Sequence, residues 1–534
     1  MGNQQLFCRQ EVTALSVSLK DRKVDILIKQ PNILHIFTDQ CRFDAIHVNN
    51  NPVIKTPNLD RLARMGVNYQ NAYTPSPVCV AARCSMITGQ YPTKTNCVSN
   101  DRMPDDVPSF MQILTENGYR THGIGKCHFT PDLNALRGFQ TRERQEELSP
   151  DHIEKEPYYQ NLLNHGFHYT YEAHGVRGPM YYIPQPSRLP AHLHPTQWIG
   201  DRTTAFIEEN KEQPWYLFSS FVHPHPPFAP PVPWHKIYDP VQMPLPIHTE
   251  DDDSLQMFVN KVQNRYKYRD IGRDLNLIRC MRAYYYACVS FVDYQVGRIL
   301  DTLEKSGQMD NTMIVFTSDH GELLGDYQCY GKRSMHNSAV KIPMLVYKKG
   351  VFEGGNTEDT PVSLVDLAPT FLEIAGLDPK QWTMDGKSML SEKHEYVYSV
   401  FSCYQEAVHG SVKYIPEKLK KDQKLLKAAF GNYMITDGKW KYIYSAPDGK
   451  EFLFDLDHDQ EIRNRAGVAS CIQIQKKMKS ALVSYLEADG LNCLSKDGEW
   501  IPLPKMELPD NPDSGLIVQD ITCDWYSEAL PGYR

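Results

Sequence analysis

The chain has 534 residues, 41% hydrophobic and 23% charged, with a formal net charge of −8. That length holds two or three domains, or one large domain with an appendage, around a sizeable core. The acidic balance argues against a nucleic-acid partner, because neutralising phosphates needs a basic face, and no apolar run reaches the roughly 18 residues of a membrane span.

The 13 cysteines are scattered singly, odd in number and without a Cys-x-x-Cys pair. They read as free thiols of a reducing compartment. At the N-terminus, Gln10-Glu11 and Lys20 to Lys23 break any apolar core of a signal peptide. A cytoplasmic location is therefore expected, or secretion if a leader has been removed, with no membrane partner.

Residues 12–30 alternate in hydropathy on either side of the charged Lys20–Lys23 turn, which predicts a strand pair, an N-terminal extension over residues 1–30. Asn32–Asp39 is a continuous apolar run ending in a carboxylate, the pattern of a buried parallel strand with a functional residue at its carboxyl end. Asn58 to Gly66 is a short helix with a glycine stop. In Pro77–Gly89, Cys79 stands at a helix entry, Arg83 lies one turn on, and Gly89 ends the helix. Residues four apart share a helical face, so Cys79 and Arg83 can look into one site. The free N–H groups of a helix start suit an anion, and a cysteine there beside an arginine should be acidic.

Gly125-Lys126-Cys127-His128 places a lysine and a histidine two apart on an extended segment, where they would share a face and could flank an anion. Taken alone, that pair reads as a solvated lysine and a packed histidine. Residues 151–200 are rich in Tyr, His and Pro (Tyr158, Tyr159, Tyr181, Tyr182, His192, His194, Trp198) and could line a subsite or pack a long loop. Thr196 to Asn210 is a helix with Thr196 as cap. Pro214 to Phe221 is a third strand, running into Val222-His223-Pro224-His225-Pro226-Pro227-Phe228. The prolines predict a rigid loop that displays the imidazoles, with His225, ahead of His223, as a candidate general acid. A long helix covers Leu277 to Ser306, and Thr312–His320 repeats the apolar-run-plus-Asp pattern. Lys332 follows in a glycine-flanked loop; alone it reads as a surface lysine.

Beyond about residue 400 the pattern changes. Asn432 to Tyr444 is a hairpin turning at Asp437-Gly438, Phe452 to Leu456 is a strand, and Ile472 to Ala488 is a helix. These form a small α+β unit with an antiparallel sheet over residues 401–534, its tail from Leu491 wrapping the surface. Strands alternating with helices over residues 31–400 imply an α/β layered sheet covered on both faces. Ligands in such sheets lie beyond the carboxyl ends of the strands, where Asp39, His225, Asp319 and His320 fall. Asp39-Gln40 and Asp319-His320 can converge there on one divalent cation. Their oxygens suit Ca²⁺ or Mg²⁺, and the imidazole moves the preference toward Mn²⁺ or Zn²⁺.

The Cys79-Val80-Ala81-Ala82-Arg83 core, continued by Thr88-Gly89, resembles the signature of the type I sulfatases of the alkaline phosphatase superfamily. Thr56 to Ala63, Gly118 to His128, Thr317 to Gly321 and Asp437 to Tyr442 resemble further blocks of that family, in its order. The resemblance implies an alkaline-phosphatase-like mixed sheet sandwiched by helices, and hydrolysis of a sulfate monoester on a carbohydrate or aryl alcohol. It implies that a formylglycine-generating enzyme converts Cys79 to formylglycine, whose hydrate is the nucleophile. By the same resemblance, Arg83 holds that hydrate, and Lys126, His225 and Lys332 bind the sulfate. His128 takes the proton that starts sulfate release, and His225 serves the leaving oxygen. Asp39, Gln40, Cys79, Asp319 and His320 hold one divalent metal, Ca²⁺ first, with Mn²⁺ or Mg²⁺ as alternatives. Gln40 stands where many members have Asp, Ala81 where proline is commoner, and Ala82 where serine is usual. A small sulfated saccharide is the expected substrate. Two other readings are a phosphonate monoester or phosphodiester hydrolase of the same superfamily, and a non-catalytic sulfated-glycan-binding relative whose Cys79 stays a thiol.

Overall fold

The structure, a computed structural model, describes residues 30–147, 156–168, 170, 172–177, 180–264 and 274–510. The predicted strand pair before residue 30 and the end of the tail lie outside the described residues.

The centre is an eight-stranded mixed sheet. Its strands are β1 (Asn32–Asp39), β2 (Val67–Tyr69), β3 (Arg120–Gly125), β4 (Thr141–Arg144), β5 (Trp215–Pro224), β6 (Thr312–Ser318), β7 (Met344–Tyr347) and β8 (Asn356–Glu358). They lie in the order β4-β3-β5-β1-β6-β7-β2-β8. The five from β4 to β6 run parallel, while β7 is antiparallel to both its neighbours. Every residue of β1 and β6 is buried, which is why both read as unbroken apolar runs rather than alternating ones.

Alternate side chains of these strands feed two cores. Leu34, Ile36, Leu217, Ile314 and Phe316 pack with Trp198 and Phe206 of the helix Pro195–Glu209 and with Val292, Val296 and Ile299 of the helix Leu275–Lys305. Ile33, Phe37, Phe218, Met313 and Val315 face the other way, onto the helix Cys79–Thr88 and onto Phe371 of the helix Leu367–Ile374. Burying each large apolar side chain contributes roughly 1.5–3 kcal/mol. The two helical layers are therefore pinned to the strands that carry the site.

The C-terminal region holds a four-stranded antiparallel sheet of β9 (Val397–Ser402), β10 (Gly431–Thr436), β11 (Trp440–Ser445) and β12 (Lys450–Asp455). The helix Ile472–Ala488 covers one face, with Met478, Leu482 and Leu486 against Ile435, Tyr442 and Leu453. Among the described residues every cysteine is a free thiol, and no helix is long and apolar enough to cross a membrane.

Local readings needed correction in two places. Strand β5 runs through His223 to Pro224, so the rigid loop begins only at His225. Pro224 is tolerated because it is the last residue, where the register against β1 already shifts between Thr38 and Asp39. The helix after residue 194 starts at Pro195 and is capped by His194, whose Nδ1 accepts from Thr196 N at 3.1 Å, so Thr196 is inside it. Proline at the first helical position needs no N–H partner there.

Candidate active site

The carboxyl ends of four adjacent parallel strands deliver the polar groups. Asp39 ends β1, Asp319 follows β6, Lys126 follows β3 and His225 follows β5. The turn out of β3 depends on Gly125, at φ +88°. A Cβ there would lie 2.0 Å from Ser220 O, so no other residue lets β3 press so closely on β5.

Facing these ends is the N-terminus of the helix Cys79–Thr88, buried along all 10 residues and closed by Gly89 in the left-handed region. Cys79 is its first residue. Arg83, one turn on, points its guanidinium back under the strand ends. Nε donates to Asp319 Oδ2 at 3.0 Å, one terminal nitrogen to Asp39 Oδ2 at 3.3 Å, and the other to Lys126 O at 2.7 Å and Ser220 Oγ at 3.2 Å. The Phe37 ring lies 4.9 Å from the guanidinium carbon. The planar fork is what lets one side chain brace both aspartates and two strands.

The Cys79 thiol touches three polar groups. Lys332 Nζ is 2.7 Å away, His320 Nε2 3.3 Å and Asp39 Oδ1 3.7 Å. Burial and Asp39 push the thiol up, but Lys332, Lys126 and His320 outweigh them and hold it well below its usual range. Lys332 is thus a buried site residue rather than a surface lysine. Burial also opposes charge on Asp39, yet Lys126 at 2.6 Å, His225, Lys332 and Arg83 keep its carboxyl well below the carboxylate norm. Burial and the neighbouring charge of Asp39 instead raise Asp319.

The donor set fits a divalent cation. One ligand atom from each of Asp39, Cys79, Asp319 and His320 lies within 4.8 Å of the others. His320 Nδ1 sits 3.0 Å from Gly321 O, a pure acceptor, so Nδ1 carries the hydrogen and Nε2 offers its lone pair to the cluster. Gln40, at φ +69°, donates its backbone N–H to Asp319 Oδ1 at 3.0 Å, and its side-chain Oε1 is buried without a hydrogen-bond partner. An orphaned buried carbonyl oxygen on the residue after Asp39 fits a ligand to the same cation.

The other expected residues divide. Lys126 is fully buried, not solvated; burial alone would lower it, but Asp39 and Glu147 keep it well above its usual value. His225 is buried too, its Nδ1 2.7 Å from Pro226 O and its Nε2 3.2 Å from Glu147 and 3.4 Å from Tyr181 OH. Burial drives it toward the neutral imidazole against the pull of Glu147. His223 packs away from the cleft, its ring centroid 4.8 Å from that of His194. His128 does not share an extended face with Lys126. Its φ of +53° turns the chain, its backbone N–H goes to Glu146 Oε1 at 3.2 Å, and its Nδ1 is buried without a partner.

Two residues had no place in the sequence expectations for the site. Glu147 lies between Lys126 (2.5 Å) and His225, with Arg177 3.7 Å from its other oxygen. Burial resists its charge, but His225, Lys126 and Arg177 hold it well below the usual range. Its signal was hidden in the run Arg142 to Glu147, which reads as a solvated face. Glu322 follows Asp319-His320-Gly321 directly, and its fully buried carboxyl accepts from the Gln40 amide and, at 3.0 Å, from Tyr182 OH. Of the aromatic-rich segment, Tyr181 and Tyr182 therefore face the site, whereas Tyr158, Tyr159 and Trp198 fill a core.

Lys441 is the remaining motif residue. Its Nζ donates to Glu461 Oε1 at 2.7 Å, to Met335 O at 3.1 Å and to Asn337 Oδ1. The C-terminal sheet is thereby tied to the loop that carries Lys332.

The model of the sulfatase family matches residues 31–377, well over half the chain. The chain belongs to the sulfatase family. A second match, to the C-terminal region of N-sulphoglucosamine sulphohydrolase, covers residues 325–488. An arylsulfatase of Clostridium perfringens is 27% identical over 474 residues, covering 82% of this chain and 90% of its own. A choline-sulfatase of Rhizobium meliloti is 28% identical over 467 residues, 82% of each chain. In fold, the chain is similar to the phosphonate monoester hydrolase of Silicibacter pomeroyi, with a TM-score of 0.73 at 24% identity over 88% of this chain and 97% of that one. The sulfatase is thus a sulfuric ester hydrolase with the architecture of the alkaline phosphatase superfamily.

Proposed function

We propose that this sulfatase hydrolyses a sulfate monoester of a small saccharide or aryl alcohol at the Cys79 cluster, with formylglycine made from Cys79 and one divalent cation. The observation that carries the reading is the single point at which the thiol, Lys332 and the Asp39–Asp319–His320 donors meet. Converted to formylglycine and hydrated, Cys79 would supply one hydroxyl to attack sulfur and a second to expel sulfate when the hemiacetal collapses. A cation held by Asp39, Gln40, Cys79, Asp319 and His320 would supply Lewis acidity to the sulfate oxygens. The oxygen-rich set favours Ca²⁺, with Mn²⁺ or Mg²⁺ as alternatives, and the neutral Gln40 lowers the charge available to it.

The chain's own side chains do the rest. Arg83 keeps both aspartates aligned from beneath. Lys126 and Lys332 provide fixed positive charge for the sulfate, which costs no reorganisation during reaction. His225 would serve the departing alkoxide only in its protonated form, which Glu147 favours and burial opposes, and His128 would take the proton that starts sulfate release. Glu147 occupies the space between Lys126 and His225, so an entering sulfate must compete with a carboxylate for the same donors. A second reading, a phosphonate monoester or phosphodiester hydrolase, draws on the carboxamide of Gln40 beside Asp39.

Peptide mass spectrometry across Cys79, on protein from its native host, tests the nucleophile. Conversion lowers the mass by ~18 Da and supplies the electrophilic carbon; a plain thiol refutes the mechanism and favours a sulfated-glycan-binding protein. Matched assays on an aryl sulfate and an aryl phosphodiester then separate the two ester classes.

A further inference from the structure

The Gln40 carboxamide is held from one side only. Its Nε2 donates to Glu322 Oε2, its Oε1 is buried with no partner, and its backbone groups are fixed by Asp319 (3.0 Å) and Tyr285 OH (2.8 Å). Every other group on the Glu322 carboxyl is also a donor. Tyr182 OH shares Oε2 at 3.0 Å, while Leu324 N (2.9 Å) and Gly331 N (2.5 Å) take Oε1. A carboxylate only accepts, so the end of the Gln40 amide that faces Glu322 must be its NH₂ end. The carbonyl end is then turned away from Glu322 and left for another electrophile.

We propose that Glu322 is the positioning residue of the metal site. It locks the Gln40 amide so that Oε1, rather than NH₂, is presented as a ligand beside Asp39, Asp319 and His320. Through Gly331 N it also couples that ligand to the loop holding Lys332 against Cys79. This rests on the metal-dependent reading above and deepens it. A neutral ligand backed by a buried carboxylate places the negative charge one residue further from the cation than a direct Asp would.

The arrangement makes a specific prediction about amide flips. In Glu322→Gln, the introduced carbonyl keeps Leu324 N and Gly331 N, which turns its NH₂ toward Gln40. The Gln40 amide must flip to accept from it and then points NH₂ at the cluster. The swap Gln40→Glu with Glu322→Gln reverses this. The introduced NH₂ donates to one oxygen of the new carboxylate and leaves the other for the cation, and Tyr182 OH can accept as readily as donate.

The test is Ca²⁺ and Mn²⁺ binding by titration calorimetry on the full chain with Cys79 unmodified, so no turnover is needed, with metal-free melting as the folding control. Glu322→Gln should bind about 10–100-fold more weakly, the usual effect of losing the partner that orients a ligand. The swap should return to near the parent affinity. Equal affinity in Glu322→Gln and the parent overturns the proposal. So does a folded swap chain that binds no better than Glu322→Gln. If Glu322→Gln fails to fold, the swap decides alone: parent-like affinity supports positioning, and a folded chain with weak binding overturns it. A parent chain that binds neither cation removes the metal reading itself and this inference with it.

Discussion

Replacing His35 and Tyr216 together by phenylalanine should flatten the acid limb of the stability curve. His35 sits in β1 with no exposed surface, its Nδ1 3.1 Å from Tyr216 OH and its Nε2 buried without a partner. The rings of Phe37, Phe218 and Phe371 lie 5.2, 5.1 and 5.3 Å from it. Burial first, and the charge of Arg83 second, pull this imidazole from 6.5 down to about 3. The folded chain therefore keeps His35 neutral where the unfolded chain takes up a proton. The unfolded state binds more protons between those two values, so stability falls as pH drops through 6.5 and continues to fall toward about 3. Each pH unit in that window costs about 1.4 kcal/mol, and pH 5 lies about 1.5 units below the unfolded value, giving about 2 kcal/mol from this one ring. The assay is equilibrium urea unfolding of the parent and the double variant at pH 5 and pH 7.5. The quantity compared is each protein's loss between the two, in which pH-independent repacking costs cancel. The parent should lose about 2 kcal/mol more than the variant. Equal losses would refute the claim that the core holds His35 uncharged.

Arg83→Met takes the guanidinium away from the buried Asp319 carboxyl, while Asp39 keeps Lys126, and should destabilise the metal-free protein by about 3–5 kcal/mol in calorimetric melting, part of it recovered on adding a divalent cation. Lys332→Met removes the strongest of the cations that acidify Cys79, so the thiolate absorbance of unmodified protein should titrate at higher pH. Glu147→Gln takes a carboxylate out of the Lys126–His225 position. Free sulfate should then inhibit at about tenfold lower concentration, the equivalent of one charge-assisted hydrogen bond. Lys441→Met strands the buried Glu461 and should cost about 3–5 kcal/mol, while adding Glu461→Gln should restore much of it on thermal melting.

Continuous apolar runs ending in Asp announced β1 and β6, because strands buried on both faces need no alternation. The Asp437-Gly438 turn announced the hairpin of β10 and β11. Cys79, Arg83 and Gly89 were readable because helix geometry is local. Glu147 was not: it looks like a solvated charge until long-range packing encloses it with opposite charges, and Lys332, a surface lysine by local pattern, was placed by the family resemblance alone. The role of Glu322 depends on the orientation of an amide 282 positions away, which no local pattern encodes. His128 misled because a single residue at positive φ breaks the two-residue period on which the shared face was argued.

The Cys79 helix has all 10 residues enclosed. An ordinary surface helix offers an outer row of positions where mutations drift freely; this one has none. Ala81 and Ala82 have zero exposure, so their small size is a packing requirement. A descendant that lost its hydrolytic activity would still be held to much of the same spelling by the core around it. In this chain the motif therefore answers first to an intact interior, and the proposed chemistry leans as much on the groups around it, among them Lys126, His225 and Lys332.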